Sequence, residues 1–352
     1  MSENRFSKDQ LNAFIARALG VTGMPDENAR IVAELMAEAD LNGSDGHGIF
    51  RLPSYIRRIR EGGINLTPDI HIVQEKSGMA LVDGDNAQGH LVMKYCAEKA
   101  IEKARISGVA WVGARYSNHA GPANLYAKMP LSHDMIGIYV AVGNANHLPP
   151  WGGTAMLLST NPIAAAVPGL EEPPVVLDMA TTVAAYGKVK TAAQRGKNMP
   201  VGWMIDKEGE PLVDPNRADE GFLLPIGGPK GYGLSLLFGL LAGSLNGAAF
   251  GENVIDFNAD FQTATNTGQF IVAVDISAFG NVEDFKRRVD AIVRTIKASP
   301  TLPGFEEVLL PGESSRRKRE EYEVNGIPLT VALVDNLSDL AEDLGIAKLQ
   351  PM

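Results

Sequence analysis

The sequence predicts an α/β protein whose mixed-sheet core is embraced by a discontinuous helical domain drawn from both termini. Three observations carry this expectation. Capped, helix-period apolar patterns fill the first sixty residues, strand-like apolar runs recur from Ile70 to Ile276, and helical patterns return after Asn281. At 352 residues the chain is long enough for two domains, or for one large α/β domain with a satellite. The boundaries expected are 1–75 plus 282–352 for the helical domain and 76–281 for the α/β core.

Each element follows from local signals. In "SKDQLNAFIARALG", Ser7 is an N-cap with Gln10 three residues on, a capping box; Leu11, Phe14, Ile15, Ala18 and Leu19 share one face, and Gly20 is the expected left-handed stop. "PDENARIVAELMAEADLNG" begins with Pro25 and acids in its first turn and stops at Gly43. A third short helix, "LPSYIRRIREGG", carries Pro53 in its first turn and ends at Gly62–Gly63. Strands are expected at "DIHIV", "MALVDG", "VAWVGAR", "MIGIYVAVG", "PIAAAVPG", "PVVLDMA" and "QFIVAVDI". Helices are expected at "LVMKYCAEKAIEKARISG" and, fully buried, at "YGLSLLFGLLAGSLNG". Asn281 caps a late helix whose Phe285, Val289, Ile292, Val293 and Ile296 form one stripe.

Composition narrows the function. A net charge of −10 argues against nucleic acid, whose binders need a basic face. The basic run "SSRRKREEYE" is answered by its own acids and reads as a solvated face. One cysteine, Cys96, cannot form an intramolecular disulfide and reads as a buried thiol. With no signal-peptide pattern and no long uncharged apolar run, the expected location is the cytoplasm and no membrane contact is expected.

Common cofactor and metal schemes are missing. No G-x-G-x-x-G follows a strand, no P-loop or G-x-S-x-G elbow occurs, and the six histidines show no metal-ligand spacing. Seven polar, glycine-rich turns remain: "DGHGIFR", "SNHAGPANLYA", "GNANHLPPWGG", "LSTNP", "LDMATT", "GGPKGYG" and "LPGES". Most follow apolar strand-like runs, where α/β folds place ligand sites. In the first, His47 suits proton transfer near neutrality and Arg51 offers a planar fork for a carboxylate, so the pair addresses the two ends of a small 2-oxo acid. The alternative is that His47 caps the preceding helix and Arg51 pairs with an acid. Lys230, amid glycines, suits an anionic or nicotinamide-bearing ligand or is an exposed loop lysine. His119 lines the same pocket or is a hydrogen-bonded core histidine.

These motifs, in this order, resemble the malate/L-lactate dehydrogenase family of the second type, which is unrelated in fold to the Rossmann lactate dehydrogenases. That family includes ureidoglycolate dehydrogenase, sulfolactate dehydrogenase, 2,3-diketogulonate reductase and piperideine-2-carboxylate reductase. The resemblance runs from "AEADLNGSDGHGIFRLPSYIRRI" to "LPGES", nearly the whole chain. It implies a non-Rossmann NAD(P)-binding core and a homodimer with its active site near the subunit contact. It implies His47 as proton donor in reduction, Arg51 as carboxylate clamp, His119 beside nicotinamide and substrate, and Asn144 within reach of substrate. Cofactor contacts implied are Thr160, Asp178, Met179, Ala180, Lys230, Gly312 and Glu313, with Lys188 as a further one. The reaction implied is interconversion of a small 2-hydroxy acid and its 2-oxo acid, malate-, lactate- or sulfolactate-like, with NAD or NADP. Alternatives are reduction of a cyclic imine carboxylate and a non-catalytic nicotinamide-binding homologue. One departure matters: the family's D-S-H-G reads Asp45-Gly46-His47-Gly48 here, so no serine hydroxyl stands beside the histidine.

Overall fold

The computed structural model describes residues 4–194 and 196–352. In chain order the elements are β1 (Asn4–Phe6), α1 (Lys8–Gly20), α2 (Asp26–Leu41), α3 (Leu52–Arg60), β2 (His71–Lys76), β3 (Met79–Ala87), α4 (Gly89–Ser107), β4 (Val109–Ser117) and α5 (Asn124–Ala127). There follow β5 (Met135–Ala141), β6 (Ile163–Val167), β7 (Val175–Met179), α6 (Tyr186–Gln194), β8 (Met204–Asp206), β9 (Pro211–Leu212), β10 (Gly221–Leu223) and α7 (Pro229–Ala242). The chain closes with β11 (Thr267–Asp275), α8 (Val282–Lys297), α9 (Glu313–Asn325), β12 (Ile327–Leu329) and α10 (Val331–Leu344).

Seven strands form one mixed sheet in the order β2-β3-β4-β11-β5-β6-β7, with β3 and β4 parallel and every other pairing antiparallel. Crossover helix α4 joins the parallel pair and covers one face. Its Ala97, Ala100 and Ala104 are small enough to bring the helix close to Ala80, Val112 and Ile271 on the strands. On the other face α7 packs Ala242 against Val140 and Phe270, and Trp111 stacks on Phe270.

A second buried cluster joins α1, α2, α3 and α10 with the terminal β1–β12 pair. Ile31 and Ile70 pack against both clusters, so the helical layer and the sheet meet along α2 and the entry to β2. The capping box at Ser7 is present: Ser7 Oγ accepts from Gln10 N at 3.1 Å and Gln10 Oε1 accepts from Ser7 N at 2.8 Å.

Two local expectations are corrected. Gly20 stays helical, and the left-handed residue is Gly23 (φ +94°), because one more hydrogen-bonded turn intervenes. Helix α7 is not buried all round: Gly231, Ser235, Gly239 and Ala242 face the sheet, while Leu234, Leu237 and Leu240 face outward, Leu237 being 53% exposed. The α8 stripe is likewise only partly covered, since Ile292 and Ile296 are exposed. The solvated reading of 314–323 holds, because α9 has no buried residue and meets its acids at Glu313, Glu320 and Glu323.

Candidate active site

The turn between α2 and α3 is built around a buried acid. Asp40, 2% exposed in the last turn of α2, accepts from Ile49 N at 2.7 Å, and burial pushes its carboxyl up to about 8. Gly48 presses on that carboxylate so closely that a Cβ there would overlap it, whereas a Cβ at Gly46 would meet nothing. Gly48 is therefore required for close approach, not for a left-handed turn, and Gly46 opens onto space. This wrapping carries His47 and Arg51 to the sheet side of the helical layer.

There His47 meets His119, which the turn after β4 supplies. The two rings lie nearly parallel, 5.4 Å apart. Tyr55, one helical turn beyond Arg51 on α3 and fully buried, places its hydroxyl 2.6 Å from His119 Nδ1. Phe257 packs its ring 5.6 Å from His119 and 5.9 Å from Tyr55. Arg51 donates through Nε to Gly46 O at 2.9 Å and reaches Asn258 Oδ1 at 3.4 Å. Among the described residues no carboxylate pairs with Arg51, and the His47 Nδ1 is buried without a partner. Among the described residues neither the helix cap nor the acid pair that would make His47 and Arg51 structural is present.

Electrostatics keep the imidazoles neutral. Burial, then the Arg51 charge, lowers His47 to about 4; the same two causes take His119 well below its ordinary value, and burial lowers His90 to about 3. A pair of neutral imidazoles beside an uncommitted guanidinium is a site for a small anion with a polar head. Asn144 stands one step back: its Nδ2 donates to Thr267 Oγ1 at 2.5 Å, and its carbonyl accepts from Phe257 N at 2.9 Å.

The same turn leads into a cleft of about 730 Å³ walled by Asn42–Ser44, β7 and the start of α9. Asp178, Lys188, Gly312 and Glu313 all line it. Asp178 accepts from the Asn124 backbone and side-chain nitrogens at 3.1 and 2.6 Å. Glu313 is held down to about 2 by Lys297 and closes its own turn by accepting from Leu310 N at 3.1 Å. Thr160, Met179, Ala180 and Lys230 are not among the residues lining this cleft: Met179 ends β7, Ala180 follows it, Lys230 lies in the first turn of α7, and Thr160 is on the turn before β6. These segments are tied together where Thr160 O accepts from Thr181 N at 2.8 Å and Thr181 O accepts from Ile226 N at 3.0 Å.

A nicotinamide dinucleotide fits these surroundings. Three lysines wall the cleft without an ion pair among the described residues: Lys188, Lys128 (Nζ 3.4 Å from Asn42 Oδ1) and Lys318 (Nζ 3.4 Å from Gly43 O). Their ammoniums match a phosphate-bearing ligand. Gly312, at φ +88°, lets the chain approach β7, where a Cβ would meet Val176 O at 2.8 Å.

Sequence reasoning missed Tyr55, Phe257, Asn258 and Arg58. Tyr55 was within reach, being four residues from Arg51 on the same helix face. The others depend on contacts across more than a hundred residues. Fully buried Arg58 donates to Asn118 Oδ1 at 3.2 Å, to Asp260 O at 2.5 Å and to Thr263 O, which pins the Phe257 loop beside His119.

Comparison with known proteins identifies the family. The family model described as malate/L-lactate dehydrogenase matches residues 6–338. The malate/(S)-sulfolactate dehydrogenase of Methanothermus fervidus is 38% identical over 97% of this chain and 98% of its own. The sulfolactate dehydrogenase structure from Methanocaldococcus jannaschii superposes with a TM-score of 0.90 at 37% identity, covering 97% of this chain and 98% of that one. The malate dehydrogenase structure from Entamoeba histolytica reaches 0.94 at 29% identity, covering 98% and 99%. With sequence and fold matched end to end, the chain belongs to the malate/L-lactate dehydrogenase family.

Proposed function

We propose that the protein is an NAD(P)-dependent oxidoreductase that interconverts a small 2-hydroxy acid and the corresponding 2-oxo acid. The observation that carries this reading is Arg51, a guanidinium with no acid partner among the described residues, set beside the neutral pair His47 and His119.

Bound in the cleft and along the adjoining turns, the cofactor would supply or accept hydride at its nicotinamide ring. Asp178, Lys188, Gly312 and Glu313 would hold it in the cleft, with Thr160, Met179, Ala180 and Lys230 contacting it beyond the cleft, from the turn before β6, the end of β7 and the start of α7. Arg51 binds the substrate carboxylate. That binding matches the charge that lowers His47, so the proton affinity of His47 rises as substrate arrives. His47 then gives its proton to the carbonyl oxygen in reduction, or takes the hydroxyl proton in oxidation. Asn144 supports the pocket through its hold on Phe257 and touches the outer end of the substrate.

Homodimerisation belongs to the same proposal. The outward leucines of α7 form an apolar face that a second copy would cover. Among the described residues no helix is long and apolar enough to cross a membrane. A cytoplasmic location is part of the proposal too.

The test is a panel of 2-oxo acids and cyclic imine carboxylates with NADH and NADPH, followed at the nicotinamide absorbance. Turnover confined to 2-oxo acids supports the reading. Preference for imines replaces it with the C=N reduction, and cofactor binding without any turnover points to a non-catalytic homologue.

A further inference from the structure

The Tyr55 hydroxyl lies 2.6 Å from His119 Nδ1, and the Gly121 backbone N–H approaches the same nitrogen at 3.4 Å. A backbone amide only donates. Nδ1 of His119 must therefore present its lone pair, and Tyr55 must donate as well. Gln88 Nε2 lies beside this group, 3.2 Å from His90 Nδ1 and 3.4 Å from His119 O. Donors thus converge on Nδ1 of His119 from α3 and from its own turn. Tyr55 is fully buried, held between the His90 and Phe257 rings at 5.9 Å from each, so its hydroxyl cannot turn to water.

We propose that Tyr55 is a positioning residue that holds His119 as the neutral Nε2–H tautomer, so that His119 gives the substrate oxygen a fixed N–H donor and leaves proton transfer to His47. The assignment rests on the proposed 2-hydroxy acid reading for its substrate and on the hydrogen bonds alone for its tautomer. It divides labour between two parallel imidazoles: His119 stabilises the developing charge on oxygen without titrating, and the proton that completes the alcohol comes from His47. The charged neighbours favour the same outcome. Arg51 faces His119 from the α2–α3 turn, so a second proton on the ring would place another positive charge next to the guanidinium and the neutral form is kept.

The decisive measurement is the ring-nitrogen NMR spectrum of [15N]histidine-labelled protein, with His119 assigned by loss of its signals in His119→Gln. The expected wild-type result between pH 6 and 8 is a protonated Nε2 and an unprotonated Nδ1. Tyr55→Phe is expected to mix the two tautomers and to lower kcat roughly tenfold, with the KM for the 2-oxo acid changed less than about twofold. Wild-type His119 carrying its proton on Nδ1, or charged at pH 7, overturns the proposal. So does a folded Tyr55→Phe protein whose His119 tautomer is unchanged. Should Tyr55→Phe not fold, the wild-type spectrum still decides the tautomer. An Nε2–H signal in a protein that turns over no 2-oxo acid removes the substrate reading and leaves the tautomer assignment standing.

Discussion

Burial first, and then the Arg51 guanidinium, which has no carboxylate partner among the described residues, lower the proton affinity of both His47 and His119. The sign has a kinetic consequence. In the free protein His47 is neutral above about pH 4, the form that accepts a proton. We expect kcat/KM for hydroxy-acid oxidation to be flat from pH 6 to 8, and kcat/KM for reduction, which needs the protonated form, to fall about tenfold per pH unit. Arg51→Gln should raise KM for the carboxylate substrate and move the inflection up towards the ordinary histidine value of 6.5; a profile unmoved by that change would remove Arg51 from the account. The two glycines flanking His47 separate in the same way. Gly48→Ala drives a methyl into the Asp40 carboxylate and should cost about 1–3 kcal/mol in denaturant unfolding, while Gly46→Ser enters open space and should leave stability unchanged.

At the scale of elements, Arg58 links α3 to the turn carrying His119 and to the 257–263 loop. Replacing it with Ala leaves the Asp260 and Thr263 carbonyls without their donor. A loss of at least about 2 kcal/mol is expected, together with faster amide hydrogen exchange across 257–263. Unchanged exchange in that loop would show that Arg58 does not pin it. The same comparison explains what was legible in advance. Helices α1, α2 and α3 announce themselves through Ser7–Gln10, Pro25, Gly43 and Pro53, all local signals, and the strands through apolar runs. His47 and Arg51 were legible because one short turn holds both. The 251–266 segment has no apolar period, and its role comes from pairing Phe257 with Asn144 and Asp260 with Arg58, contacts no local pattern reveals.

For the whole molecule, the division of 1–75 plus 282–352 from 76–281 is a proposal: Ile31 and Ile70 pack against both large buried clusters, and Leu35, Ala39, Leu91 and Phe257 cross the proposed boundary. Helix α8 is fastened to the sheet side, since Asp290 accepts from Leu170 N at 3.0 Å and Glu171 N at 2.9 Å. On the proposed dimer, the reading of α7 as a buried apolar helix has a physical source: an apolar face covered by a second chain would have the same sequence pattern as one covered by its own. Leu237→Glu should therefore shift the light-scattering mass from two chains towards one. A wild-type protein that already runs as a single chain would discard the dimer.

The central claim is that His47 moves the proton for a carboxylate held by Arg51, and it is tested most directly by single-turnover reduction of a 2-oxo acid by wild type and His47→Ala. The account predicts reduction by the wild type and a fall of about 10²–10⁴-fold in His47→Ala, with cofactor affinity unchanged. A His47→Ala protein within a few-fold of the wild-type rate would contradict it.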